Sequence, residues 1–269
     1  MTEIEESCME FSKLLDTINE LRAKCPWDMK QTNESLRKLT IEETYELADA
    51  IFSGNDEGIK NELGDLMLHI VFYAKIASEK NLFSMKDVLK RINEKLIYRH
   101  PHVFGEVKVS DATEVEKNWE HLKMKENSDY NPVLSGVPAS LPAIVKANRI
   151  QEKVRGVGFD WEVRDQIWDK VLEELTELKE EIDNHNTGSI ESELGDVLFS
   201  LINASRLYGI DPEAALEKTN RKFIKRFNYL ERETLSKGIS LHDMNLGEMN
   251  VIWERAKKED CPPQGGTGG

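Results

Sequence analysis

The chain has 269 residues, 39% of them hydrophobic and 32% charged, enough for one large core or two smaller ones, which excludes a disordered chain. Fifty acidic residues against 36 basic ones leave a net charge of −14. That excludes a general affinity for nucleic-acid backbone or anionic lipid, so a phosphate-bearing ligand must meet a local basic pocket or a divalent cation.

The amino terminus from Met1 to Glu10 is acidic and unlike a signal peptide, and no apolar run approaches the ~18 residues of a membrane span. Cys8, Cys25 and Cys261 have no metal-ligand spacing and are odd in number, as expected of reduced thiols in a cytoplasmic protein. From Leu39 to Ile51 and from Ile59 to Ile76 apolar residues recur every three or four positions, predicting two helices separated by Ser53-Gly54-Asn55. Val103 to Val109 is the one short strand candidate. Asn127 to Pro142 holds three prolines, a glycine and several small polar residues, the composition of a linker. A second helix pair follows, interrupted at Asn184 to Gly188, and Cys261 to Gly269 reads as a disordered tail. The expected organisation is all-α: a helical-bundle repeat over 1–126, a linker over 127–143, a second repeat over 144–260 and a tail over 261–269.

The two repeats are copies. Ile41-Glu42-Glu43-Thr44-Tyr45-Glu46-Leu47 resembles Leu172-Glu173-Glu174-Leu175-Thr176-Glu177-Leu178, and Glu62-Leu63-Gly64-Asp65 recurs letter for letter as Glu193-Leu194-Gly195-Asp196. The offsets 174 − 43, 177 − 46, 193 − 62 and 196 − 65 all equal 131. With small insertions the match extends to Trp27-Asp28 and Trp161-Glu162, and to Asn93, Lys95 and Arg99 against Asn220, Lys222 and Arg226. It ends on Trp119-Glu120 and Lys123 against Trp253-Glu254 and Lys257. So many polar matches in order mark a duplication.

In each copy the carboxylates stand three apart, Glu43 with Glu46 and Glu62 with Asp65, then Glu174 with Glu177 and Glu193 with Asp196. Residues three apart share a helix face, and a short turn makes the two helices antiparallel neighbours. Four or five carboxylates then converge on one groove, where like charges repel unless a hard divalent cation such as Mg²⁺ joins them. A di-iron site is excluded because no glutamate has a histidine three residues later; the six histidines follow no ligand spacing. A glycine inside a helix costs roughly 1 kcal/mol, so Gly64 and Gly195 suggest that another backbone or a ligand comes close. Two non-enzymatic classes also fit these residues: a nucleotide- or metal-sensing module, and a helical scaffold with solvated acidic faces.

Glu-Glu-x-x-Glu followed by Glu-Leu-Gly-Asp resembles the MazG family of nucleoside triphosphate pyrophosphohydrolases, in its two-domain form. Cys25-Pro26-Trp27-Asp28, Gln31-Thr32, Arg99-His100-Pro101-His102-Val103-Phe104-Gly105 and Gly158-Phe159-Asp160-Trp161 extend the resemblance from about Leu14 to Lys257. It implies two tandem all-α repeats, a homodimer, and Mg²⁺-dependent hydrolysis (Mn²⁺ substituting) of nucleoside triphosphates, ATP among them, to monophosphate and pyrophosphate. It also implies Glu174, Glu177, Glu193 and Asp196 as metal ligands, with Lys170, Lys222, Arg226 and Trp253 at the nucleotide. Glu173 or Glu174 would take the proton from water. No residue announces a purine- or pyrimidine-specific contact.

Both copies keep every carboxylate, so Glu43, Glu46, Glu62 and Asp65 form a second candidate metal site. At offset 131, however, Lys170 stands where copy one has Leu39, Asn203 where it has Phe72, and Arg206 where it has Lys75. These polar groups add Asn203 and Arg206 to the candidate nucleotide contacts and favour copy two as the working site, as the resemblance also implies. Leu39→Lys with Phe72→Asn is then expected to raise the activity of copy one.

Overall fold

In this computed structural model the described residues are 1–111, 114–115, 118–119, 122 and 132–260. The repeat matches at Glu120 and Lys123, the first part of the expected linker and the expected tail from Cys261 lie outside them. The described residues contain helices and no strand. The chain divides into two compact units, Met1–Trp119 and Glu120–Gly269.

Unit 1 begins with α1 (Glu3–Lys24), closed at its start by reciprocal bonds between Thr2 and Glu5. A 3₁₀ turn at Asp28–Lys30 leads to α2 (Asn33–Ser53), capped in the same way by Thr32 and Ser35. Gly54 ends α2 at φ 65°, a left-handed conformation that a side chain would strain, and the Asn55 side chain caps α3 (Asp56–Glu79). The tight turn makes α2 and α3 a packed pair. α4 (Met85–Arg99) follows, capped by Ser84 and Asp87. Pro101–Phe104 then forms a single helical turn, α5, with proline at the first position, where a missing N–H costs nothing. Residues 105–109 have no regular structure, so the strand expected over Val103 to Val109 is not formed.

The core of unit 1 is Ile18 of α1, Leu36 of α2 and Val71, Phe72 and Ile76 of α3, with Leu39, Leu68 and Tyr73 packed against it. Burying a leucine- or phenylalanine-sized side chain contributes roughly 1.5–3 kcal/mol.

Unit 2 repeats the plan. α6 (Ala143–Arg155) is followed by α7 (Ile167–Asp183), α8 (Thr187–Leu207), α9 (Pro212–Leu235) and α10 (Leu246–Asp260). α7 packs on α8, α9 on α10, and α6 on both α8 and α9. The inward stripe of α7 is Ile167, Val171 and Glu174, spaced four and three apart. A carboxylate thus occupies a position where the helical period calls for an apolar residue. A clasp joins the start of α7 to the end of α8: Trp168 Nε1 donates to Tyr208 Oη at 2.9 Å, and Tyr208 Oη donates to Asp165 Oδ1 at 3.0 Å.

Candidate functional site

The α7–α8 pair brings Glu174, Glu177 and Glu193 together, one carboxylate oxygen from each lying within 4.8 Å of the others. In unit 1 the corresponding trio is Glu43, Glu62 and Asp65, on α2 and α3. Each is a ligand set of hard oxygens that fits a divalent cation. The units choose different members: Asp196 falls outside the tight trio in unit 2, and Glu46 in unit 1. Both still act at short range. Burial and then the charges of Glu177, Asp196 and Glu174 push the Glu193 carboxyl above the ordinary glutamate range. Burial, followed by Asp65 and Glu46, does the same to Glu43.

Glu174 is only 7% exposed, and a buried charge is costly unless paired. Its partner is Lys170, one turn earlier on α7, whose Nζ lies 2.7 Å from Glu174 Oε1 and 2.9 Å from Oε1 of the exposed Glu173. Those bonds, to Glu174 first and Glu173 second, hold the ammonium above the ordinary lysine range. At the matched positions copy one has no cation or amide, because Leu39 and Phe72 belong to its core and Phe72 is 3% exposed. In sequence these two are the apolar counterparts of Lys170 and Asn203; the structure makes them packing residues. Leu39→Lys with Phe72→Asn would therefore bury polar groups in the core of unit 1 instead of restoring a site.

Further along α8, Arg206 donates to Asn203 Oδ1 from Nε (3.1 Å) and Nη2 (2.8 Å), and to Asp160 Oδ2 from Nη1 at 3.1 Å. Its Nη2 also makes a short ion pair with Asp160 Oδ1. Burial opposes ionisation of Asp160, but the Arg206 bond and the Trp161 N–H outweigh it and hold the carboxyl below its usual range. Sequence reasoning gives Asp160 no role of its own, although its place in Gly158-Phe159-Asp160-Trp161, one of the stretches that carry the family resemblance, is the signal that was there to read.

Lys222, Arg226 and Trp253 lie on α9 and α10, whereas the carboxylates lie on α7 and α8. Lys222 is exposed. Arg226 lines a cleft of about 380 Å³ with Tyr229, Arg232 and Glu259. Trp253 packs its ring 5.0 Å from that of Phe223. Gly64 and Gly195 face open space: beyond the adjacent backbone of their own helices, no atom of the described residues lies within 4 Å of a Cβ built on either. Of the two approaches that they suggest in sequence, another backbone or a ligand, the first is not made by the described residues. Unit 1 adds a residue that the spacing argument passes over. His69, one turn beyond Asp65, is buried with Nδ1 unpartnered, and burial lowers its pKa against the opposing charge of Asp65.

Comparison with known proteins finds the MazG nucleotide pyrophosphohydrolase domain over residues 31–104 and 164–230, which together are more than half of the chain. A nucleoside triphosphate pyrophosphohydrolase/pyrophosphatase MazG from Thermotoga maritima is 41% identical over 260 residues, spanning 96% of this chain and 99% of the relative. The nucleoside triphosphate pyrophosphohydrolase of Escherichia coli K12 is 36% identical over 258 residues, spanning 93% of this chain and 98% of the relative. An uncharacterized Bacillus subtilis protein, YabN, is 43% identical over 258 residues, which are 93% of this chain and 52% of that one.

Proposed function

The chain belongs to the MazG family of nucleotide pyrophosphohydrolases, and we propose that unit 2 is its working site. The reaction is hydrolysis of a nucleoside triphosphate to the monophosphate and pyrophosphate. The observation that carries the choice of unit is Lys170, a cation beside the Glu174–Glu177–Glu193 trio for which unit 1 has only core residues.

Mg²⁺, with Mn²⁺ as a substitute, would be held by Glu174, Glu177, Glu193 and Asp196 and would supply Lewis-acid neutralisation of the phosphate oxygens. The remaining work falls to this chain's side chains. Attack on the α-phosphorus needs a positioned water and compensation for the charge leaving as pyrophosphate. Lys170, with three rotatable donors, turns from Glu173 and Glu174 to the triphosphate when substrate enters. Glu173, exposed and outside the trio, is thereby released to take the proton of the attacking water, a role its buried neighbour Glu174 fills less readily. Lys222 and Arg226, one turn apart on α9, contact phosphate oxygens, Arg226 in bidentate fashion. Trp253 stacks on the base, and Asn203 offers it an amide.

A homodimer completes the reading. Leu194, Leu198 and Leu201 of α8 are about half exposed although Val197 among them is buried, and so are Leu63, Met67 and Ile70 of α3. A second copy covering these faces is the simplest way to remove them from water. A monomer by light scattering at micromolar concentration would count against this.

The deciding assay gives purified protein Mg²⁺ and a panel of triphosphates and follows pyrophosphate separately from phosphate. Pyrophosphate release that disappears with chelator, and nearly disappears in Glu193→Gln and Asp196→Asn, is the expected result. Release of phosphate, or binding without release, would remove the mechanism; the latter would favour the sensing module.

A further inference from the structure

We propose that Asn203 selects the base, and that Arg206 and Asp160 hold its amide in a single orientation favouring nucleotides whose base carries an exocyclic oxygen. This rests on unit 2 being the triphosphate site.

An asparagine amide ordinarily turns over and offers either an acceptor or a donor. Here it cannot. Arg206 is a donor at every nitrogen, so the atom it meets at 2.8 and 3.1 Å is necessarily Oδ1. The guanidinium is itself fixed on its other edge by Asp160, at 3.1 Å from Nη1 and through the short ion pair of Nη2. Oδ1 thus accepts two hydrogen bonds and has no capacity left. The Nδ2 amino group has no acceptor among the described residues and is not among their buried unpartnered atoms, so it keeps contact with solvent. The side chain presents donors and no acceptor.

Its place on α8 suits a base. Asn203 stands 203 − 196 = 7 residues beyond Asp196 and 203 − 193 = 10 beyond Glu193. At about 1.5 Å per residue that is roughly 10 and 15 Å along the same stripe of the helix. A nucleotide with its phosphates at the carboxylate end would extend its base towards this amide. An oxygen at C6 of a purine or C4 of a pyrimidine accepts a hydrogen bond there. The amino group of adenine or cytosine at the same place sets donor against donor and leaves both unpaired. In this arrangement Arg206 and Asp160 are positioning residues that do not themselves touch the nucleotide.

The test compares two substrate pairs that differ at that group, ITP with ATP and UTP with CTP. In the wild type, kcat/KM for ITP and UTP exceeds that of the amino partner by about tenfold, carried by KM, as expected for one hydrogen bond made or lost. Asn203→Asp keeps an oxygen for Arg206 and turns a second oxygen outward, so both ratios invert. Asn203→Ala brings both ratios towards unity and keeps the test decisive if the aspartate variant does not fold. Asp160→Asn and Arg206→Met also erode the ratios, through KM and not through kcat; a merely structural role would slow all four substrates alike. Equal kcat/KM within each wild-type pair, or unchanged ratios in Asn203→Ala, overturns the inference. Pyrophosphate release that survives Glu174→Ala with Glu177→Ala is a different result, which strikes at the assignment of unit 2 and not at the role of Asn203.

Discussion

Lys170 Nζ sits 2.7 Å from the buried Glu174 carboxylate, so a cation from the same helix occupies the electrostatic position that a divalent ion would take. Lysine and metal therefore compete. Lys170→Met should bind Mn²⁺ more tightly than the wild type when no nucleotide is present, by isothermal titration calorimetry. The same variant should lose about a hundredfold in kcat/KM, the usual scale for a lost contact to developing charge. Weaker Mn²⁺ binding in the variant would mean that Lys170 supports the site instead of competing for it.

Gly195 and Gly64 offer a clean separation of structural from ligand effects. Both lie inside helices, and a methyl group added to either would meet no atom of the described residues within 4 Å beyond the adjacent backbone of its own helix. Alanine at either place should stabilise the protein by about 0.5–1 kcal/mol through helix propensity. If substrate approaches the α8 backbone, Gly195→Ala will also raise KM, whereas Gly64→Ala will not. A thermal melt and a KM measurement on each variant decide the matter.

Asp160 predicts an acid-stability signature. Its carboxyl is held below the usual range in the folded protein, so the unfolded chain binds more protons through the interval from its ordinary pKa down to the lowered one. The stability it contributes is therefore complete above the unfolded pKa of about 3.9 and is lost as pH falls through the folded value. Asp160→Asn, which leaves Arg206 short of its ionic partner, should cost about 1–3 kcal/mol at pH 7. The difference between wild type and variant should narrow only below about pH 4. A difference that stays constant down to pH 2 would show that the ion pair is not its source.

Much of this arrangement was legible in the order of residues. The fixed offset of 131 located both carboxylate groups, and helical spacing placed each pair on one face of α2, α3, α7 or α8. The period failed at Glu174, whose inward position only the Lys170 bond explains. Contacts between distant segments left no periodic trace: Arg206 meets Asp160 across 206 − 160 = 46 positions, which no local pattern encodes. Side-chain reach likewise decides that Asp196 and Glu46 stand outside the tight trios although they share the motif. Leu39 and Phe72 misled for a different reason. An apolar residue opposite a polar counterpart reads equally as a disabled site or as added core, and only burial distinguishes the two.

The sharpest prediction separates the copies. Glu174→Ala with Glu177→Ala removes two of the three clustered carboxylates in unit 2 and should abolish pyrophosphate release. Glu43→Ala with Glu46→Ala removes only one member of the unit 1 trio, leaves Lys170 and its surroundings intact, and should retain most of the activity. The asymmetry follows from what surrounds the carboxylates. Stabilising the transition state needs charge complementary to the phosphates as well as a bound ion. Unit 2 has the Lys170 ammonium within hydrogen-bond reach of its carboxylates, while unit 1 has committed Leu39 and Phe72 to holding α2 and α3 together. That commitment can be measured. Truncating a buried phenylalanine costs about 3–5 kcal/mol, so Phe72→Ala should lower the melting temperature sharply. Phe72→Asn should be at least as damaging and should restore no activity to a chain whose unit 2 is dead. Equal loss of activity in the two glutamate double mutants would show the units to be coupled, or would reverse their roles.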